Sequence, residues 1–278
     1  MVGRPIARIG IGMTPRALVI TAPGINCDLE LAQAFKSAGA EVESIPLARL
    51  SRQPVLVDGF DLVGLPGGFS YGDDVAAGRI LATLIRRTLY PALRAAVERG
   101  CPMIAPCNGF QVAVQVGLLP GPAEGEPWSA EPPSVTVALA TNQTARFTDR
   151  WTAIDVETDT RSVWTRDIDF SGPGGVLPSA HGEGRFVADE ALLDELEGSG
   201  RVALRYAEAD NFNGSMRRIA GICDSTGLVL GLMPHPERFT RWTQHPSWTR
   251  LDASIRASDP PGLAMFRNAV RHASGVPA

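Results

Sequence analysis

The segment PMIAPCNGFQVAVQVG, residues 102–117, carries the clearest indication of the fold. Its first part, Pro102–Pro106, is short and apolar, which is typical of a strand buried on both faces of a sheet. From Asn108 to Val116 the apolar residues recur at helical spacing, and Gly117 ends that pattern. A buried strand that passes directly into a helix predicts an α/β domain built on parallel strands.

The same alternation of strands and helices precedes this stretch. Arg16–Ala22 predicts a buried strand, and Asn26 or Asp28 is expected to cap the helix that follows it as far as Gly39. These elements predict a mostly parallel central sheet with helices on both faces. The further elements predicted here are strands at Glu41–Ile45 and Asp61–Leu65, and a helix from Asp74 to about Arg99 with a break near Tyr90-Pro91.

After a surface loop at Pro120–Pro133, strands follow one another without helices between them, which predicts an additional antiparallel β section. An irregular segment, Arg241–Pro261, is interpreted as a surface elaboration without an assigned function. The predicted elements are strands at Val135–Thr141, Trp151–Thr158, Gly175–Ser179, Val202–Tyr206, Ile219–Asp224 and Leu228–Met233, and helices at Asp189–Leu196 and Gly262–Ala273.

The length, composition and net charge of the chain exclude several classes of protein. The chain has 278 residues, 44% of them apolar, and a formal net charge of −4. One domain is predicted over residues 16–273, with residues 1–15 as an N-terminal extension. The acidic excess argues against a nucleic-acid partner, and no apolar run reaches the roughly 20 residues of a membrane span. The start of the chain lacks a signal peptide's apolar core, and its four cysteines show no C-x-x-C pair, so a cytoplasmic location is expected.

Cys107 stands at the junction of the predicted strand and helix. A sharp turn there projects the residue at the carboxyl edge of the sheet, the arrangement known as a nucleophile elbow. Gly109 leaves room for this turn, because a side chain would crowd the strand. The free N–H groups and the positive dipole end of the helix favour the thiolate form. The alternative is a buried cysteine that acts only as a small apolar side chain.

A nucleophilic thiol needs a base, and His235 is the candidate among four histidines. It directly follows a predicted strand, and prolines on both sides restrict its backbone. Glu237 lies on the same side of what is predicted to be an extended segment, where its carboxylate can orient the imidazole. His245 and His272 are interpreted as surface residues. A purely structural histidine is the alternative for His235.

Gly67 and Gly68 open a glycine-rich loop after the predicted strand Asp61–Leu65. An oxyanion formed beside Cys107 would need two N–H donors, and the backbone N–H groups of Gly68 and Asn108 are the candidates. The loop lacks the Gly-Lys-Ser/Thr ending of a phosphate loop. A Gly-Gly pair taken alone is more often an ordinary turn.

Five segments, taken together and in order, resemble one protein family. Cys-x-Gly-x-Gln followed late in the chain by His-Pro-Glu is typical of class I, or triad, glutamine amidotransferases. The other segments are similar to those of the PurQ-type glutaminase subunit of phosphoribosylformylglycinamidine synthase. The resemblance runs from about Arg16 to Ala273 and implies a class I amidotransferase-like, flavodoxin-like fold. The segments are GGFSYGD (67–73), CNGFQ (107–111), AHGEG (180–184), NFNGS (211–215) and MPHPER (233–238).

The resemblance implies hydrolysis of glutamine to glutamate and ammonia through a thioester. The ammonia would pass to a separate synthase subunit, which uses ATP and magnesium, and a small accessory subunit would complete the complex. No cofactor and no metal are expected in this chain. The implied roles are Cys107 as nucleophile, His235 as base, Glu237 as orienting carboxylate, Gly68 and Asn108 as oxyanion donors, and Gln111, His181 and Glu183 as substrate-binding residues.

Two departures from the family pattern leave alternatives open. Ala105 and Pro106 replace the usual glycine and aliphatic residue before the nucleophile, and Phe212 replaces the proline of Asn-Pro-Asn-Gly-Ser. The alternatives are a class I amidotransferase that feeds another acceptor, a non-catalytic regulatory subunit, and a peptidase of the same fold.

Overall fold

The computed structural model describes residues 14–275, so most of the predicted N-terminal extension, residues 1–15, lies outside the described residues. The strands are β1 (Arg16–Thr21), β2 (Glu41–Pro46), β3 (Leu62–Gly64), β4 (Met103–Pro106), β5 (Ala138–Thr141), β6 (Thr148–Val156), β7 (Val176–His181), β8 (Glu183–Val187), β9 (Val202–Tyr206), β10 (Ile219–Cys223) and β11 (Val229–Leu232). The helices are α1 (Asp28–Ala38), α2 (Leu47–Arg52), α3 (Arg79–Thr88), α4 (Tyr90–Glu98), α5 (Asn108–Val116), α6 (Glu190–Gly198) and α7 (Pro261–Ala273).

One large sheet organises the molecule, with the strand order β2-β1-β3-β4-β11-β10-β9-β6-β7. Its first five strands pair in parallel, and the remaining four continue it in antiparallel pairs. The predicted α/β class, with a parallel core and an antiparallel section, is confirmed. The two sections share one sheet, and only β5 and β8 form a separate ladder among the described residues.

The direction of the crossovers creates an edge suited to ligand binding. The chain leaves β1 through α1 to reach β2 on one side, and it leaves β3 through α3 and α4 to reach β4 on the other. Because such crossovers are right-handed, this reversal places helices on opposite faces of the sheet. Accordingly α1 packs against α7, whereas α3 packs against α5. Ligands of such sheets bind beyond the carboxyl ends of the strands, beside the point of reversal.

Several predicted boundaries are wrong for local reasons. The helix predicted from Asp74 begins at Arg79, because Gly78 directly before it adopts a left-handed φ of 69° that no helix continues. Neither Asn26 nor Asp28 caps α1, whose N-cap is Cys27 without a side-chain hydrogen bond.

The segment Arg241–Pro261 is irregular as predicted, but it is not only a surface elaboration. His245 is 5% exposed, so its interpretation as a surface residue is wrong. Its ring packs against Trp151 and Phe239, and its Nε2 lies 3.0 Å from the Pro173 carbonyl oxygen. His272 is exposed, as predicted. Among residues 14–275, no helix is long and apolar enough to span a bilayer.

The turn from β4 into α5 depends on the absence of a side chain at Gly109. A Cβ on Gly109 would overlap the carbonyl oxygen of Leu65, just beyond the neighbouring strand β3. The predicted crowding is therefore confirmed, although the neighbour is the end of β3 rather than the strand that enters the turn.

We expect Gly109→Ala to lower the free energy of unfolding by about 1–3 kcal/mol, because backbone atoms must move to admit the methyl group. Gly198→Ala is the matched control, since a Cβ at Gly198 in α6 meets nothing within 4 Å. Urea unfolding followed by circular dichroism measures both variants. Equal losses for the two variants would contradict this account of the turn.

Candidate active site

The pairing of β4 with β11 brings together residues that are far apart in the sequence. In this parallel ladder Leu232 lies opposite Pro106, so Cys107 and His235 both follow the carboxyl ends of neighbouring strands. The Cys107 N–H donates to the Leu232 carbonyl oxygen at 2.7 Å, and the His235 N–H donates to the Pro178 carbonyl oxygen at 2.7 Å. Hydrogen bonds to β11 and to β7 therefore fix the backbones of Cys107 and His235, respectively.

Cys107 has the strained backbone of a nucleophile elbow. Its φ of 50° and ψ of −112° are unfavourable for a residue with a side chain, and α5 begins at the next residue. The residue is 7% exposed, and its Sγ lies 3.6 Å from the Ala180 carbonyl oxygen. Pro106 occupies the last position of β4, where it removes none of the hydrogen bonds that hold Cys107.

His235 and Glu237 form a buried ion pair. His235 Nδ1 lies 2.7 Å from Glu237 Oε1, and the two side chains are 2% and 0% exposed. The prediction of an extended segment here is wrong, because Pro236–Arg238 forms a single 3-10 turn that returns Glu237 to the imidazole. Burial alone would lower the pKa of His235, but the charges of Glu237 and Cys107 outweigh it and raise that pKa well above its ordinary value.

The other ring nitrogen, His235 Nε2, has no hydrogen-bond partner among the described residues. Because Nδ1 is held by Glu237, Nε2 is the atom left to exchange a proton with a reacting group. The geometry required of a base and its orienting carboxylate is present.

A cavity of about 410 Å³ opens beside Cys107 and His235. Of the sequence-predicted residues, Asn108 and Glu237 do not line it, and both are buried. The predicted residues that line the cavity are Gly68, Cys107, Gln111, His181, Glu183 and His235.

The glycine loop after β3 closes one side of this cavity. Gly68 has a φ of +133°, and a Cβ there would lie 2.6 Å from the Asn26 nitrogen, so only glycine fits. Among residues 14–275, the backbone N–H groups of Gly68 and Asn108 make no hydrogen bond. Both predicted oxyanion donors are thus unpaired.

Gln111 belongs to a polar network rather than standing alone in the cavity. Its Oε1 accepts from Asn108 Nδ2 at 2.9 Å, and its Nε2 donates to the Glu183 backbone carbonyl. Asn108 Nδ2 also donates to Asp73 Oδ1 at 3.3 Å. The network holds β8, α5 and the glycine loop at fixed positions around the cavity.

His181 is a buried neutral imidazole. Asn142 Nδ2 donates to the Arg146 and His181 carbonyls, so Asn142 Oδ1 faces His181 Nδ1 as an acceptor at 3.1 Å. His181 Nδ1 therefore carries the proton, and Nε2, which is unpartnered among the described residues, is an acceptor. Burial and the charge of His235 lower the pKa of His181 to about 4. Phe212, which departs from the family pattern, packs on the His181 ring with the centroids 5.3 Å apart.

Several residues that line the cavity were not predicted from the sequence, among them Cys27, Asp73 and Arg238. Asp73 lies within the recognised GGFSYGD segment and Arg238 within MPHPER, and these segments are the signals that could have found both residues. Arg238 Nη2 donates to Cys27 Sγ at 3.0 Å, a contact between residues 211 positions apart that no local pattern signals.

The described residues include one group of donor atoms close enough for a metal, from Cys27, His235 and Glu237, all within 4.8 Å of one another. The Arg238 guanidinium and the His235–Glu237 hydrogen bond already engage these donors. We therefore assign no metal site. The expectation that this chain carries no cofactor stays a prediction.

Comparisons with known proteins agree on one family. The sequence profile of the CobB/CobQ-like glutamine amidotransferase domain matches residues 14–273. The chain is 36% identical over 270 residues to phosphoribosylformylglycinamidine synthase subunit PurQ of Dehalococcoides mccartyi, covering 94% of this chain and 98% of that protein. It is 42% identical over 238 residues to the same subunit of Corynebacterium jeikeium, with coverages of 84% and 93%. A chain of PurLQS from Thermotoga maritima aligns with a TM-score of 0.67 and 30% identity, covering 93% of this chain and 99% of that one.

The lowered pKa of His181 predicts a specific loss of stability in acid. The unfolded chain takes up a proton near pH 6.5, whereas the folded protein resists it until about pH 4, so stability falls as the pH drops between these values. At pH 5 this costs about 2 kcal/mol relative to pH 7. We expect His181→Asn to lose this part of the pH dependence of stability when urea unfolding is measured at pH 5 and at pH 7. His272→Asn, at an exposed position, is the control and should leave most of this pH dependence in place. An unchanged pH dependence in the His181 variant would refute the assignment.

Proposed function

Because the chain belongs to the glutamine amidotransferase family, in the PurQ group of phosphoribosylformylglycinamidine synthase subunits, we propose that it hydrolyses glutamine to glutamate and ammonia. The ammonia serves the formation of formylglycinamidine ribonucleotide in purine biosynthesis. The observation that carries this proposal is the meeting of Cys107 with His235 at the edge of the sheet, with Glu237 bonded to the far side of the imidazole.

In the first half-reaction Cys107 attacks the side-chain amide carbon of glutamine. The thiol proton passes to His235 Nε2 before the attack, which gives a thiolate beside an imidazolium. After the attack this proton passes to the amide nitrogen, which leaves as ammonia. Glu237 stabilises the imidazolium that forms between these steps, an effect that burial of the pair strengthens. The product is a γ-glutamyl thioester on Cys107.

In the second half-reaction water attacks the thioester carbon. His235 removes a proton from this water and returns it to the Cys107 sulfur as glutamate leaves. The tetrahedral oxyanion of each step requires donors that are free before the reaction begins, and the unpaired N–H groups of Gly68 and Asn108 supply them.

We assign substrate recognition to the part of the cavity that is lined by Gln111, His181 and Glu183. Gln111 and Glu183 line it and are tied to each other, so they present a rigid surface to the amino acid. His181 Nε2 can only accept a hydrogen bond while the ring is neutral. It therefore suits an N–H group of glutamine better than a carboxylate oxygen of the glutamate product.

The chain is proposed to act within a complex. The similar chain from Thermotoga maritima comes from the structure of PurLQS, and the similar curated proteins are named as synthase subunits. We propose that this chain likewise binds a synthase subunit, which holds ATP and magnesium, together with a small accessory subunit. A cytoplasmic location is part of this proposal.

Loss of the nucleophile or the base tests the proposed reaction. We expect Cys107→Ser and His235→Ala to abolish ammonia release from glutamine in the complex with the cognate synthase subunits. Synthesis driven by added ammonium salt should persist, because that chemistry belongs to the partner. His272→Ala, at an exposed site, is the control and keeps wild-type activity. Retained glutaminase activity in Cys107→Ser would overturn the proposal, and loss of both activities would contradict the division between subunits.

The orienting carboxylate is expected to matter less than the nucleophile. Glu237→Gln keeps a hydrogen-bonding group beside Nδ1 but removes the charge that raises the pKa of His235. We expect the pKa of His235, followed by NMR of labelled histidine, to fall in this variant. Glutaminase activity should fall with it by on the order of 10²–10⁴-fold. An unchanged pKa for His235 would show that Glu237 does not act through the imidazole.

A further inference from the structure

A second buried thiol faces the same cavity as the nucleophile. Cys27, at the N-cap of α1, is 1% exposed, yet it lines the cavity together with Cys107 and His235. The proposed glutaminase mechanism makes no use of it. A small molecule that enters the cavity to reach Cys107 therefore meets both sulfurs.

Gly67 lies beside both cysteines. A Cβ on Gly67 would lie 3.3 Å from Cys27 Sγ and 3.4 Å from Cys107 Cβ. The Cys27 N–H points to the Gly67 carbonyl oxygen at 3.4 Å, so the backbone of Cys27 is tied to this glycine. Glycine at this position leaves the space between the two cysteines open on the side of the loop, and the His235 ring borders it on another side.

The surroundings of Cys27 suit a reacting thiol. Arg238 Nη2 donates to Cys27 Sγ at 3.0 Å, so a guanidinium lies directly against this sulfur. Asn26 Oδ1 lies 3.3 Å from the same sulfur and can hold its proton in the thiol form. His235 borders the same space, since its Cε1 lies 2.9 Å from the point that a Cβ on Gly67 would occupy.

We propose that Cys27 and Cys107 form a reversible disulfide when the protein meets a peroxide. Hydrogen peroxide oxidises the Cys107 thiolate to a sulfenic acid, and the other peroxide oxygen leaves as hydroxide, which becomes water on protonation. The Cys27 thiolate then attacks the Cys107 sulfur, the S–S bond forms, and the sulfenic oxygen leaves as a second water. In sum, two thiols lose two hydrogen atoms and one peroxide becomes two waters.

The consequence is protection of the nucleophile. A sulfenic acid without a nearby thiol proceeds to sulfinic and sulfonic acids, which thiol reductants do not reverse. A disulfide with Cys27 stops this progression, and a dithiol reductant restores Cys107. The effect on turnover rests on the proposed glutaminase function, whereas formation of the bond itself does not.

The chain supplies its own control thiols. Cys101 and Cys223 are buried, neither lines this cavity, and burial raises the pKa of each to about 12. They remain protonated under conditions in which a thiolate reacts. Peroxide should leave both unchanged.

The test uses the full-length chain treated with hydrogen peroxide and digested without reduction. Mass spectrometry should find a cross-link between the peptides containing Cys27 and Cys107 that dithiothreitol removes. In Cys27→Ser the cross-link should be absent, and Cys107 should be recovered as sulfinic or sulfonic acid. Cys101→Ser should form the cross-link as the wild type does.

Activity provides the second readout, in the complex with the synthase subunits. After peroxide, dithiothreitol should restore most of the glutaminase activity of the wild type, and the restored fraction should be on the order of tenfold smaller in Cys27→Ser. Absence of the 27–107 cross-link in the wild type, or equal recovery in the two proteins, would overturn this inference. Absence of any glutaminase activity before treatment would instead overturn the proposed function.

Discussion

The parallel pairing of β4 with β11 is the interaction on which the candidate site depends. Its register places Leu232 opposite Pro106, and the next residues of both strands leave the sheet at the same edge. Cys107 is held there by its own ladder hydrogen bond, so its strained backbone is maintained by the sheet rather than by the turn alone. A shift of one residue in this register would turn the side chains of β11 to the other face and separate the thiol from the imidazole.

Burial then determines the protonation of the two histidines in the cavity. His235 and Glu237 are almost wholly enclosed, so their charges interact strongly and the imidazole retains a proton. His181 lies nearby without a carboxylate and stays neutral. Two histidines of the same cavity therefore have opposite protonation tendencies, because one has a buried anionic partner and the other has an amide.

The local elements are largely predictable, and the exceptions have identifiable causes. The helix Asn108–Val116 and its Gly117 end are predicted correctly because apolar spacing and glycine act within a few residues. The strand Glu183–Val187 is not predicted, because its buried positions include a glycine and its sequence shows no alternation of apolar and polar residues. His245 is misassigned because its irregular segment has no period from which burial can be read, and its aromatic neighbours come from other parts of the chain.

Short-range patterns were sufficient to predict the α/β class, the turn at Cys107 and the identity of the candidate nucleophile and base, because each depends on local spacing or on a recognisable set of motifs. Three features became visible only in the folded chain: Cys27 meets Arg238, Gly67 leaves the space beside two thiols empty, and Asn142 fixes the tautomer of His181. These contacts join distant segments, and sheet register and loop packing set them rather than any pattern within one segment.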